Sequence, residues 1–536
     1  MRGLLASSIG VTCVAALALP LTPPATAATV RPAPAAEAAP TGTTRATSPD
    51  TPPTRSLPDL PDLPDLPGNT QSLPLTPLTG DRALGGTGAG QGLPRRDVRH
   101  FSLLGVVWDD PATELHGRVQ VRTRRAGTGA WSGWQDVDAH NADHGADPGT
   151  PESTSGRVRG ATAPLWVGDS DGVEIRVHPD TERRTEETAR GPRTLAAAAP
   201  LPSGMRLELV DPGAAPGVAP GAAAPATFAH VPAGPPRSRT LFTETDPMPA
   251  QPPQPQPAPD AAPASRAGVP ATRADAPATT TRATEATKAA EASAANAPLA
   301  PLGATEIPAL DRPATERELF TLRAAELTPA QRAKPYIGPR PSIVTRRGWG
   351  ADESLRESGF RYTTTVKAAF VHHTASGNSY KCSQVPSVIR GIYRYHVKSM
   401  GWRDIGYNFL VDKCGTIYEG RAGGVAKPVL GAHTLGFNTN SMGIAVLGTF
   451  TTAKPNSATV AAIARLTAWK LGLFGANPKG KTYLKSGGGN LYGKGKNVRL
   501  NVISGHRDGF ATECPGKQLY GKLGSARSTA ARYQGR

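Results

Sequence analysis

Hydrophobic and polar positions change their spacing several times along the chain, and each spacing predicts a different structure. Residues 4–21 are an apolar run behind Arg2, broken at Pro20 and followed by Ala25-Thr26-Ala27. That order of basic, apolar and small residues predicts a secretory signal peptide over 1–27 rather than a retained membrane span. Between 98 and 212 apolar residues alternate with polar ones: Val119, Val121 and Thr123 sit between Arg118, Gln120, Arg122 and Arg124, and Val173, Ile175 and Val177 repeat the pattern. Period two in short runs punctuated by Gly and Asp predicts a small antiparallel β module.

From 341 onward both periods occur. Residues 366–371 read as a buried strand, and 386–400 place Ile389, Ile392, Tyr393 and His396 at helical spacing. Residues 407–411 and 416–418 predict a hairpin around Cys414-Gly415, 442–447 another apolar strand, and 458–471 a second amphipathic helix. The Lys/Gly-rich stretch 487–498 predicts a further hairpin. The fold class expected is therefore α/β for 341–525, joined to a smaller antiparallel β module.

Composition accounts for the rest. With 54 Pro and 59 Gly among 536 residues, the chain reads as folded modules on long spacers. Residues 28–97, which include a repeated Leu-Pro-Asp at 57–65, lack backbone donors for regular structure and predict a disordered segment. Residues 213–340 predict an Ala/Pro-rich linker, stiffest at 251–257, and 526–536 a basic tail. Trp108, Trp131, Trp134 and Trp166 are read as core of the β module, with sugar stacking as the alternative.

The formal charge of +17 is concentrated at one end: residues 341–536 hold 28 Lys+Arg against 8 Asp+Glu, the remainder 32 against 35. Behind an export signal, such a surface favours a polyanionic partner such as an anionic membrane or an anionic cell-wall polymer over intracellular nucleic acid. Extracellular nucleic-acid binding through the basic domain stands as a third reading.

Removing a signal peptide, with Cys13, leaves Cys382, Cys414 and Cys514. Cys382 and Cys414 flank the first helix and the following hairpin, so a disulfide between them closes a loop of about 33 residues, worth roughly 3 to 4 kcal/mol on the chain-entropy model. Cys514 is then free, eight residues after His506, and a His pair, His372-His373, ends a strand. His and thiolate are favoured zinc ligands, and on spacing alone a metal site and a set of core histidines are equally compatible with this pattern. His140 and His144 with Asp143 and Asp147 lie in a Gly/Pro/Asp loop without a metal-motif spacing and are not taken as ligands.

A set of motifs in the last 200 residues is more specific: Arg347-Gly348-Trp349-Gly350, Val371-His372-His373-Thr374, Gly401-Trp402-Arg403-Asp404-Ile405-Gly406-Tyr407-Asn408-Phe409, Gly431-Ala432-His433, Ser441-Met442-Gly443-Ile444, Gly505-His506-Arg507 and Glu513-Cys514-Pro515-Gly516. In this order, over about 342–523, they resemble the peptidoglycan recognition protein and type 2 N-acetylmuramoyl-L-alanine amidase family. The resemblance implies a mixed β-sheet flanked by helices, a groove holding one Zn²⁺, and hydrolysis of the amide between the lactyl group of N-acetylmuramic acid and L-alanine.

Carried over by motif, His372, His506 and Cys514 are the zinc ligands. Successive strand side chains point to opposite faces, so only one of His372 and His373 reaches the groove. The resemblance also puts Tyr407 beside the metal, makes Thr512 a candidate hydrogen-bond donor in catalysis, and makes His433 and Thr374 candidate substrate contacts. His396 is read as a core histidine and Asp404 as a structural acceptor. Non-catalytic family members lack the metal-site cysteine; retaining Cys514 favours an enzyme over a peptidoglycan-binding recognition module. The expected protein is secreted, wall-associated, monomeric and without a transmembrane segment once the signal is removed.

Overall fold

The computed structural model describes residues 68–78, 90–139, 143–188, 191–214 and 276–536. The signal peptide, the Leu-Pro-Asp repeat, the stiffest part of the linker and His140 lie outside these residues. The first half is built of β1 (Asn69–Pro74), β2 (Thr76–Pro77), β3 (Gln91–Trp108), β4 (Gly117–Arg125), β5 (Gln135–Val137), β6 (Gly160–Ala161), β7 (Leu165–Pro179), β8 (Thr181–Thr188), β9 (Gly191–Ala198) and β10 (Arg206–Asp211). Its main sheet runs β1-β10-β3-β7-β4-β5 and is antiparallel throughout. The alternating positions Val119, Val121, Val173, Ile175 and Val177 all turn into one core with Leu104, Leu207 and Leu209, as period two requires.

The module begins earlier than composition predicts. Asn69 to Pro74 pair residue by residue with Asp211 to Arg206, and Gln91 already pairs with Val177. Among the described residues β1 pairs on one side only, so Pro74 closes an edge strand, a position that tolerates a missing N–H. Of the four tryptophans, Trp108 and Trp166 are buried core. Trp131 and Trp134 instead lie half-buried beneath the guanidinium groups of Arg95, Arg122 and Arg176.

The second half contains, in chain order, α1 (Ala276–Ala294), β11 (Glu306–Ile307), α2 (Arg312–Arg323), α3 (Pro329–Ala333), β12 (Ile343–Val344), α4 (Arg346–Trp349), β13 (Ala368–His373), α5 (Val385–Arg394), β14 (Phe409–Val411), β15 (Ile417–Glu419), β16 (Ser441–Val446), α6 (Ser457–Leu473), β17 (Lys481–Lys485), β18 (Asn497–Asn501), β19 (Ile503–Gly505), α7 (Lys517–Tyr520) and α8 (Leu523–Tyr533). Its sheet runs β11-β12-β15-β14-β16-β13-β19, with β13, β16, β14 and β19 parallel and the β14–β15 hairpin antiparallel. The Lys/Gly-rich stretch links β17 to β18, an antiparallel pair.

Two sequence boundaries change here. Residues 285–340 are not linker: Leu299, Ile307, Leu319, Leu327 and Ile337 join the core of the sheet. Local signals fold this stretch, since Asp311 caps α2 through Ala314 N and Thr328 with Gln331 forms a capping box on α3. Likewise 526–536 is not a free tail, because α8 buries Leu523, Ala526, Ala530 and Ala531. Together they cover the outer side of α6, which is therefore buried nearly all round rather than amphipathic. Even Lys470 is buried there, donating to the carbonyls of Val425 and Lys427.

The other face of the sheet carries α5. Val385, Val388, Ile389, Ile392 and Tyr395 pack on Leu410 and Ala445 below and on Leu103, Val107, Ala161, Trp166 and Val210 of the β module above. The two modules thus share one apolar core. Among the described residues, no helix is long and apolar enough to cross a membrane.

Candidate metal centre

Four side chains from four segments converge at the C-terminal ends of β13 and β19. His372 is the last residue but one of β13, His506 follows β19 directly, Cys514 lies in the next turn, and His144 comes from the loop between β5 and β6 of the N-terminal module. One ligand atom from each lies within 4.8 Å of all the others. His372 Nδ1 is 3.1 Å from His506 Nδ1 and 3.9 Å from Cys514 Sγ. In a tetrahedral site with metal–N and metal–S bonds of about 2.0 and 2.3 Å, donors stand roughly 3.3 to 3.8 Å apart.

The outer hydrogen bonds fit the same assignment. His506 Nε2 lies 3.1 Å from the Asp143 carbonyl, to which it donates, and His372 Nε2 lies 3.3 Å from both His433 Nδ1 and Thr434 Oγ1. Both imidazoles therefore turn Nδ1 inward. His144 is held the other way round, its Nδ1 donating to Asp143 Oδ1 at 2.9 Å, so that Nε2 faces inward without a hydrogen-bond partner. The His373 N–H donates to Cys514 Sγ at 3.4 Å, a contact suited to a thiolate. These are the outer-shell bonds that fix ligand tautomers in metal sites. Burial holds His372 well below its ordinary pKa and lowers His506 to about 3, so both stay neutral, the ligating form. The donor set of three imidazoles and one sulfur fits a zinc-like cation.

Residues 362–517 match the N-acetylmuramoyl-L-alanine amidase family, and residues 59–199 the Rv3811 N-terminal galactose-binding domain-like family. Peptidoglycan-recognition protein SC1a of Drosophila melanogaster is 30% identical over 190 residues, covering 35% of this chain and 87% of that protein. Peptidoglycan-recognition protein SC2 of Drosophila simulans is 29% identical over 182 residues, covering 34% and 84%. The chain belongs to the peptidoglycan-recognition protein and type 2 amidase family. A solved structure of Drosophila PGRP-LB, 25% identical, covers 34% of this chain and 92% of that one, with a TM-score of 0.28.

Within this recognition-protein domain the other candidate residues occupy distinct places. Tyr407 packs its ring 5.6 Å from His372 and 5.8 Å from His144. Thr512 lines a cavity with Asp143, and its hydroxyl accepts from Cys514 N at 3.2 Å. His433 and Thr374 are not at an open surface: His433 stands behind His372, and the Thr374 hydroxyl accepts from Gly448 N at 3.0 Å. His373 points away from the cluster and accepts from Phe450 N. His396 accepts from Gly406 N, and Asp404 accepts from Arg346, Ile405 N and Ala422 N. Cys382 and Cys414 form a disulfide, leaving Cys514 free and buried.

His144 is the residue the sequence reasoning set aside. Its loop has no local ligand spacing because the side chains it joins lie more than 200 residues away in another module. An unexplained His-Asp pair in a loop is the only local trace of it.

Proposed function

We propose that this chain is a secreted, wall-associated zinc amidase that hydrolyses the bond between the lactyl group of N-acetylmuramic acid and L-alanine in peptidoglycan. The observation that carries the reading is Cys514, whose sulfur lies 3.9 Å from His372 Nδ1 in a buried His/His/Cys cluster inside an amidase-family domain. When bound, zinc supplies Lewis acidity, which acidifies water and polarises a carbonyl oxygen.

The chain's own groups supply the rest. His372, His506 and Cys514 hold the metal, and His433, Thr434 and the His373 N–H orient them. Burial pushes the Tyr407 hydroxyl pKa well up, so it stays protonated and is suited to donate to the oxyanion developing on the scissile carbonyl. Thr512 is placed to pass a hydrogen bond to the leaving group but carries no charge. Water adds to the carbonyl carbon, the C–N bond breaks, and the proton lost by water goes to the amine. The products are a lactyl carboxylate and a stem peptide with a free L-alanine amino terminus. The basic surface of this domain favours retention on anionic wall polymers, weakening as salt rises.

Zinc content and fragments released from insoluble peptidoglycan test the reading, using wild type and Cys514→Ala over long incubations. Wild type is expected to carry about one zinc per chain and release stems beginning with free L-alanine, and the variant, left with three histidines, to hold zinc more weakly and release none. A wild type that binds the wall and never releases stems supports a second reading, a non-catalytic peptidoglycan-binding module. That reading is favoured by the fourth ligand, because four protein donors make a structural rather than a catalytic zinc site.

A further inference from the structure

We infer that the 143–159 loop of the N-terminal module is a built-in inhibitor, holding the amidase latent by giving the metal a fourth protein ligand, His144, and by filling the groove above it. The inference rests on the zinc-amidase reading and adds a regulatory state to it. A polymer substrate must reach the metal, yet His372 and His506 are 0% exposed and Cys514 and Tyr407 4%. What covers them is this loop. The His144 ring lies 4.6 Å from that of His506 and 5.3 Å from that of His372, and its side chain is 6% exposed. Its Nε2 occupies the side of the cluster where a hydrolytic site keeps an open position.

The loop is fastened along its length. Asp147 Oδ1 accepts from Gly436 N at 2.9 Å and Asn438 Nδ2 at 2.7 Å, and Leu435 N donates to the Asp143 carbonyl. Glu152 makes a two-pronged ion pair with Arg421 at 2.8 and 2.9 Å and accepts from Arg403 N. Arg157 pairs with Glu357. Gly401, at φ +77°, has no side chain where a Cβ would stand 2.0 Å from the Arg157 carbonyl, so this chain's Gly401-Trp402 turn leaves room for the loop. Cavities of about 350 and 480 Å³ flank it: His144 and Glu152 line one with Trp402, and Asp143 lines the other with Thr512 and Phe510. Withdrawing the loop would join them above the metal.

Release need not separate the modules. Apart from Val158 at its end, which packs on the shared core, the loop is held by ion pairs and hydrogen bonds, whereas the modules are held by the apolar core of Leu103, Val107, Trp166 and Val210 against α5. A cut or a displacement confined to 143–157 opens the site and leaves that core intact.

The experiment compares three full-length chains: wild type, His144→Ala, and a chain whose residues 153–156 are replaced by a site-specific protease sequence and then cut. Each is loaded with cobalt(II), its absorption recorded with and without azide, and its zinc form assayed on peptidoglycan. Wild type is expected to show a four-coordinate spectrum unmoved by azide. Both altered chains should take azide and release stems about tenfold faster or more, as opening a state populated nine times in ten requires. The inference is overturned if wild type takes azide as readily as His144→Ala, or hydrolyses as fast as the cut chain. If all three bind cobalt and none releases stems, the amidase reading itself fails and takes the latent state with it. The azide response separates the two cases.

Discussion

The two modules meet along two unlike seams. In one, β3, β7 and β10 lay Leu103, Val107, Trp166 and Val210 on α5, and the interface is continuous with the core beneath. In the other, the 143–159 loop crosses the His/Cys cluster on Asp147, Glu152 and Arg157. Apolar burial is non-directional and insensitive to salt, so the first seam is a permanent joint. The second depends on a few directional charge-assisted bonds that water or another anion can replace. The difference teaches where the molecule can open: beside the chemistry, not between the modules.

The most damaging change should be to the first seam. Leu103 is fully buried, with its side chain over Gly391 of α5, where even an added Cβ would stand 3.2 Å away. Leu103→Asp places an unpaired carboxylate there at a cost of about 5 kcal/mol or more. Calorimetry should then resolve two unfolding transitions, one for each module, where wild type gives one. A single, merely lower transition would mean that the seam does not hold the modules separately from their own cores. Next in size is Glu152→Ala, which strands Arg421 at 7% exposure and should cost about 3 to 5 kcal/mol, felt in the loop. Trypsin cutting after Arg157 should accelerate strongly, with no splitting of the thermal transition. Equal cutting rates in both chains would remove Glu152 as an anchor.

Legibility in the sequence followed the same division. Period-two runs gave the β4 and β7 pattern because each such strand packs one face on a core, and the motifs around His372, His506 and Cys514 named, through family resemblance, three side chains that the structure brings together. What composition obscured was the fate of 285–340 and 526–536. Ala and Pro in the first and Ala and Arg in the second read as spacer and tail, yet Leu299, Ile307, Leu319 and Ala530 fill the side of α6 that would otherwise face water. Burial of a few apolar residues against a preformed helix outweighs the local composition. His144 was illegible for a different reason. Ligation across modules leaves no spacing in the chain, and only three-dimensional proximity reveals it.

Acid should act on the second seam alone. Burial raises the Glu152 pKa, but the Arg421 charge and hydrogen bonds outweigh it and leave the carboxyl below its ordinary 4.5. Its contribution is therefore complete above pH 4.5 and lost as pH falls through the lower folded-state value. Asp147 runs the other way: burial outweighs its N–H donors and raises it above 3.8, so its stabilisation is present in acid and lost as pH rises through the folded-state value. Hydrogen exchange over 143–159 should show protection weakening below pH 4.5 in wild type. Glu152→Gln should flatten that profile and Asp147→Asn should steepen it. A profile unchanged in both would mean that neither carboxyl holds the loop.

The smallest expected effect lies in the apolar seam. Fully buried Tyr395 donates its hydroxyl to the carbonyls of Thr162 at 3.1 Å and Val106 at 3.3 Å. Val106 O also accepts from Thr162 N, so that carbonyl keeps a partner when the hydroxyl is removed. Tyr395→Phe should cost about 1 kcal/mol, lowering the unfolding midpoint by a few degrees at most while leaving one transition and an unchanged azide response. The apolar contacts of the ring with the β module survive this change, which is why so little is lost. If Tyr395→Phe instead divided the transition as Leu103→Asp is expected to, a single directional bond rather than buried area would be what joins the modules. The contrast between a permanent seam and a releasable one would then collapse.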